Sequence, residues 1–152
     1  MREAPSRPTS VTTGSLFDAV LFDRDGTLIR DIPYCDDPAA IAPMPGARAA
    51  LDRLRAAGLR LGVVSNQSGI GRGLLRLEDV QAVNLRVEQL LGPFDAWRIC
   101  PHAPEDDCAC RKPRPGLILT AAADLGVDPT RCVVVGDIGA DVAAAQAAGA
   151  LG

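Results

Sequence analysis

Short apolar runs alternate along this chain with longer stretches in which apolar residues return every third or fourth position. The runs AVLFD (19–23), RLGVVSN (60–66), DAWRIC (95–100) and CVVVGD (132–137) read as buried strands. ARAALDRLRAAG (47–58) has helical spacing and ends on glycine, a helix stop. LEDVQAVNLRVEQLLG (77–92) predicts a second helix, and residues 115–125 and 141–148 two more. Strands in alternation with helices predict an α/β fold, a three-layer Rossmann-like parallel sheet covered on both faces. Residues 30–46 hold four prolines and no period, so they are expected to form a loop. Residues 1–15, rich in Pro, Ser and Thr, are expected to be a disordered leader, with 16–152 as a single domain. The alternation calls for one more strand at the closing AAGALG. Either the sheet is small or the sequence is truncated at its C-terminus relative to something longer.

Composition changes this picture in three ways. Aromatics make up only 3% of the 152 residues, so the core should be aliphatic, with helices packed closely through alanine. No apolar run approaches the roughly 20 residues a membrane helix needs, so no membrane partner is expected. A net charge of −3 argues against a basic nucleic-acid footprint. The expectation is a cytoplasmic monomer. In that compartment thiols stay reduced, and the five cysteines need a reason other than disulfides.

The chemistry gathers at the strand ends. In parallel sheets ligands sit beyond the C-terminal ends of the strands. There this chain has Asp23 and Asp25, then Ser65 and Asn66, then Asp137. One aspartate after a strand is an ordinary turn residue. Several carboxylates at one rim repel one another unless a cation sits among them. A hard divalent ion suits oxygen ligands, and magnesium is the usual one beside a phosphate. Separately, Cys100, His102, Cys108 and Cys110 fall within eleven residues and include the only histidine. Three Cys and one His match a closed, structural zinc site. Cys132 opens a strand and reads as a small apolar residue; Cys35 has no assigned role.

DRDGT (23–27), the strand ending in Ser65, RKP (111–113) and GDIGAD (136–141) together resemble the four motifs of the haloacid dehalogenase-like phosphatases, from residue 17 onward. The resemblance implies that Asp23 is the nucleophile and Asp25 the general acid and base. It implies that Ser65 and Lys112 hold the phosphoryl oxygens. It also implies Mg²⁺ on Asp23, the main-chain carbonyl of Asp25 and Asp137, with Asp141 orienting ligands. SNQSGIGRG (65–73), the Cys/His loop and CRKPRPG (110–116) are similar to the D-glycero-D-manno-heptose-1,7-bisphosphate 7-phosphatase branch, which shares its motifs and zinc loop with histidinol-phosphate phosphatases. That branch lacks a large cap domain, so residues 30–45, residues 66–74 and the zinc loop are expected to recognise a phosphorylated sugar. Arg111 is the candidate for a remote phosphate, with Arg72 behind it. Asn66 and Gln67 either bond sugar hydroxyls or shape the turn, and Asp31 and Tyr34 match the family's substrate loop loosely. The segment between His102 and Cys108 is shorter than in some relatives, and the family normally continues past residue 150 into a last strand and helix. The expected function is removal of the 7-phosphate through an aspartyl phosphate. The alternatives are a histidinol-phosphate phosphatase, a polynucleotide 3′-phosphatase, or a zinc-stabilised binding module without catalysis.

Overall fold

The structure, a computed structural model, describes residues 16–152. The leader expected over residues 1–15 lies outside the described residues. Four parallel strands, β1 (Ala19–Phe22), β2 (Arg60–Asn66), β3 (Ala96–Cys100) and β4 (Cys132–Val135), form one sheet in the order β3-β2-β1-β4. The helices are α1 (Ala47–Ala56), α2 (Ser68–Gly71), α3 (Leu77–Leu91), α4 (Gly116–Leu125) and α5 (Gly139–Ala148). β1 is fully interior, which explains why all four of its residues are apolar and buried.

Side-chain alternation along β1 divides the core. Val20 and Phe22 join Leu51 of α1 and Val83, Val87 and Leu91 of α3 on one face of the sheet. Ala19 and Leu21 join Ile118, Ala121 and Ala122 of α4 and Ala144 and Ala145 of α5 on the other. This is the predicted three-layer α/β arrangement. Close packing through alanine holds on the α4–α5 face; the α1–α3 face is filled by valine, leucine and phenylalanine.

The residues between β1 and α1 carry only a 3-10 turn at Pro38–Ala40 and a bridge pairing Ile29 with Pro43. Between β2 and α3 there is only α2, four residues long. No separate cap therefore covers the strand ends among the described residues. Beyond α5, Val134 N–H donates to the Leu151 carbonyl at 2.8 Å and Leu151 N–H to that of Cys132 at 3.1 Å. Leu151 thus pairs in parallel with Val133 on the free side of β4, where the alternation called for another strand. No helix among the described residues is long and apolar enough to cross a membrane.

Candidate active site

β1 delivers Asp23 to the rim of the sheet. Its N–H still donates to the Val135 carbonyl at 2.9 Å, so Asp23 stands beside the end of β4. Asp137 follows β4 by two residues, and Asp141 lies in the first turn of α5. Two glycines make room for these carboxylates. A Cβ on Gly26, whose φ is +80°, would collide with the Asp137 carboxylate, and one on Gly136 with that of Asp141. Carboxylate oxygens of Asp23, Asp137 and Asp141 lie within 4.8 Å of one another.

Lys112 reaches this cluster from the loop after β3. It is only 4% exposed, and its Nζ donates to Asp23 Oδ1 at 3.0 Å, Asp141 Oδ1 at 2.6 Å and the Val64 carbonyl at 2.9 Å. All three donors of the ammonium are used, which is how a cation is tolerated in such a buried place. The Lys112 main chain is held as firmly. Asn66 Oδ1 accepts from its N–H at 3.0 Å, and Asn66 Nδ2 donates to its carbonyl at 3.2 Å. Both ends of the Asn66 amide are engaged there, so this residue shapes the site through Lys112.

Gln67 is also turned inward and is buried. Its Nε2 donates to Ser65 Oγ at 2.8 Å and Asp25 Oδ2 at 3.0 Å, tying the end of β2 to the turn after β1. Asp25 has a second partner that sequence reasoning passed over. Arg24 is 3% exposed and forks onto both Asp25 oxygens at 3.1 and 3.2 Å. Its remaining Nη1 donates to Asn84 Oδ1 of α3 at 2.9 Å. A signal for this pair was present: Asn84 is a polar residue on the helical stripe of Val80, Val83, Val87 and Leu91.

Electrostatics at Asp23 bear on what the site can hold. Burial is the largest influence and lifts its pKa; Lys112 pulls it down, and Asp141 and Asp137 push it up again, leaving it at about 7 against an ordinary 3.8. A hard divalent cation among the three carboxylates would reverse that rise. The donors are oxygens of the exposed Asp137 and the buried Asp23, with Asp141 behind them, and a set of oxygens alone fits magnesium. A consequence can be measured. An acid whose pKa is raised on folding binds more protons folded than unfolded, so the metal-free protein loses stability as pH rises from about 4 to about 7. The rise in melting temperature on adding Mg²⁺ is expected to be larger near pH 8 than near pH 5. An equal rise at both would contradict the cluster as a cation site.

Cys100, at the end of β3, opens the second candidate metal site. Its Sγ, His102 Nδ1, Cys108 Sγ and Cys110 Sγ lie within 4.8 Å of one another, and Cys100 Sγ is 3.5 Å from that of Cys108 and 3.0 Å from that of Cys110. Burial pushes the Cys100 thiol up to about 12. Burial also raises Cys108, but the Arg111 N–H and the neighbouring thiols outweigh it and bring that thiol down to about 6. The convergence of three sulfurs and a ring nitrogen fits zinc in a closed, four-ligand shell. Cys35 and Cys132 stand apart from it, and no disulfide occurs among the described cysteines.

A groove of about 210 Å³ opens beside this loop, lined by Pro104, Asp107, Arg111, Lys112 and Arg114 among others. Arg111 Nη1 is buried and has no hydrogen-bond partner. Arg72 is exposed at the C-terminal end of α2. Tyr34 stands half-exposed with φ +51°, its ring against Gly69 of α2, so the loop over residues 30–45 meets the β2 exit.

Residues 34–149 match the family described as haloacid dehalogenase-like hydrolase. A Thermoplasma volcanium protein, a probable D-glycero-D-manno-heptose-1,7-bisphosphate 7-phosphatase, is 38% identical over 78% of this chain and 84% of its own length. The D-glycero-beta-D-manno-heptose-1,7-bisphosphate 7-phosphatase of Rhodopseudomonas palustris is 37% identical over 96% of this chain and 82% of its own. Among solved structures, the D,D-heptose 1,7-bisphosphate phosphatase of B. bronchiseptica, complexed with magnesium and phosphate, superposes with a TM-score of 0.81. It shares 34% identity over 88% of this chain and 78% of that one.

Proposed function

The chain belongs to the haloacid dehalogenase-like hydrolases and is a phosphatase of that family, and from this premise we propose that it removes the 7-phosphate of D-glycero-D-manno-heptose 1,7-bisphosphate through an aspartyl phosphate on Asp23. The observation that carries the reading is the meeting of Asp23, Asp137 and Asp141 around one point, with Lys112 bonded to two of them. A buried carboxylate is a poor nucleophile toward a phosphate dianion unless positive charge offsets the repulsion. Lys112 supplies part of that charge. Asp23, the main-chain carbonyl of Asp25 and Asp137 would hold magnesium. Bound there, the ion would neutralise phosphoryl oxygens and keep Asp23 ionised.

In the first half-reaction an Asp23 oxygen bonds to phosphorus, the sugar oxygen leaves, and Asp25 gives that oxygen its proton. In the second, Asp25 takes a proton from water, the water oxygen bonds to phosphorus, and Asp23 is released with inorganic phosphate. Ser65 binds the phosphoryl oxygens, and Lys112 joins it by turning to the phosphoryl group the N–H that it gives Asp23 in the substrate-free site. Asp141 has both oxygens engaged, one by Lys112 and one by the Ile138 N–H at 3.2 Å, and it serves to hold Lys112.

The choice of a bisphosphate rests on Arg111. Arg111 lines the groove next to Lys112 and suits a second phosphate, which a guanidinium can bind through two hydrogen bonds. The cysteine cluster would hold structural zinc and aim that arginine. The test is steady-state phosphate release from both anomers of the heptose bisphosphate and from histidinol phosphate. Preference for a heptose bisphosphate by about 100-fold or more in kcat/KM is expected, equivalent to about 2.7 kcal/mol. Equal, slow rates on all three would overturn the substrate assignment. Arg111→Ala should raise KM for the bisphosphate and leave monophosphates unaffected.

A further inference from the structure

Arg24 sits between the two aspartates of DRDGT, yet it is almost wholly buried and cannot touch a substrate in the open site. A fully buried cation is an expensive way to pack β1 against α3, since an apolar residue of similar volume would pack there as well or better. What the guanidinium does instead is grip one carboxylate. Its Nε and Nη2 meet the two oxygens of Asp25 as a fork, and Nη1 is braced on Asn84. Asp25 itself is more open, with 28% of its side chain exposed against 3% for Arg24. The fork therefore holds the carboxyl from behind and leaves its outer side free. Gln67 adds a third contact and ties the same carboxyl to Ser65.

We propose that Arg24, braced by Asn84, is a positioning residue for Asp25: it fixes where the carboxyl meets the leaving oxygen. This rests on the reading of Asp25 as the proton donor to that oxygen. A lysine could supply the charge but not the planar, two-point grip, so the claim concerns geometry and distinguishes the two residues.

The experiment compares the pre-steady-state burst of leaving group, which reports the first half-reaction alone, from a sugar phosphate, whose alkoxide leaving group needs a proton, and from 2,4-dinitrophenyl phosphate, whose leaving group does not. The water step, in which Asp25 is the base, is common to both and is kept out of the comparison. The enzyme is used with its metals bound, and folding is checked by circular dichroism. A positioned acid contributes about 10²–10⁴-fold, so Arg24→Met is expected to slow the sugar phosphate by about 10–100-fold and the aryl phosphate by less than about threefold. Arg24→Lys should recover only part of the loss. Asn84→Ala should show the same selectivity in smaller measure, and it carries the test if Arg24→Met does not fold. In an Asp25→Asn background, Arg24→Met should add less than about twofold, because the group it positions is already gone. Equal losses on both substrates, or the full loss repeated in the Asp25→Asn background, would overturn the proposal. If Asp25→Asn alone slows both substrates equally, the proton-donor reading fails, and this proposal fails with it. Selectivity in Asp25→Asn without selectivity in Arg24→Met removes the positioning role alone.

Discussion

Asp23→Asn is expected to reduce turnover by roughly 10³-fold or more while leaving the fold intact. The amide keeps the shape of the side chain and its place beside Val135. It removes the only proposed oxygen that can bond to phosphorus. It also removes a buried group that resists ionisation, since burial with Asp141 and Asp137 nearby holds the pKa of Asp23 at about 7. Lys112 keeps its bonds to Asp141 and Val64. The variant should therefore melt at least as high as the parent near pH 8 without magnesium. Inactivity joined to undiminished stability is the signature expected of a lost nucleophile. A variant that is inactive because it is unfolded would not carry the argument, and one that releases phosphate at the parent rate would defeat it.

Loss of zinc is expected to have the second-largest effect, and of a different kind. The loop from Cys100 to Lys112 contains only one 3-10 turn, at Pro104–Asp106. A few main-chain bonds tie it to the β2 exit, among them Gln67 N–H to the Cys100 carbonyl at 2.7 Å and Gly71 N–H to that of Pro101 at 2.8 Å. Little apolar burial supports it, Ala103 being its main contribution between the cysteines. Metal binding in such a loop adds to folding free energy. Cys110→Ser should abolish zinc binding and lower the melting temperature on the order of 10 °C, each kcal/mol being about 2–4 °C in a chain of this size. The kinetic consequence should divide. Lys112 has its own anchors in Asn66, Val64 and Asp141, so kcat measured below the transition should change by only about threefold. Arg111 has no such anchor and bonds through its N–H to Cys108 Sγ at 3.4 Å, so KM for a bisphosphate should rise about tenfold. Full stability in protein shown by metal analysis to be free of zinc would reject the loop as a metal site.

Most of the architecture was legible because hydrophobic period and strand ends agreed. β2 occupies the predicted residues 60–66, and α3 differs from its predicted span only at Gly92. The short helix α2 was missed for a physical reason. Ser-Gly-Ile-Gly has too few residues for a period and two poor helix formers; it forms because the turn after Gln67 is held by the Cys loop, through Gly71 to Pro101. The cysteine cluster and the acidic strand ends were legible because their residue types are costly without a ligand or partner. Asn66 and Arg24 were not. Nothing in the sequence says that the Asn66 amide spans the Lys112 main chain 46 residues away; the polar Asn84 on the apolar stripe of α3 marks a buried partner there, but nothing says that the partner is Arg24. Such choices depend on which loop lies opposite, and that is decided by the assembled sheet.

The central claim is that Asp23 carries the phosphoryl group during turnover. Rapid acid quench of the enzyme with heptose bisphosphate and magnesium, followed by borohydride reduction, converts an aspartyl phosphate to homoserine. Peptide mass analysis is predicted to find homoserine at residue 23, dependent on both substrate and magnesium and absent from Asp23→Asn. Turnover with no reducible residue at that position, or with the modification at another carboxylate, would contradict the account.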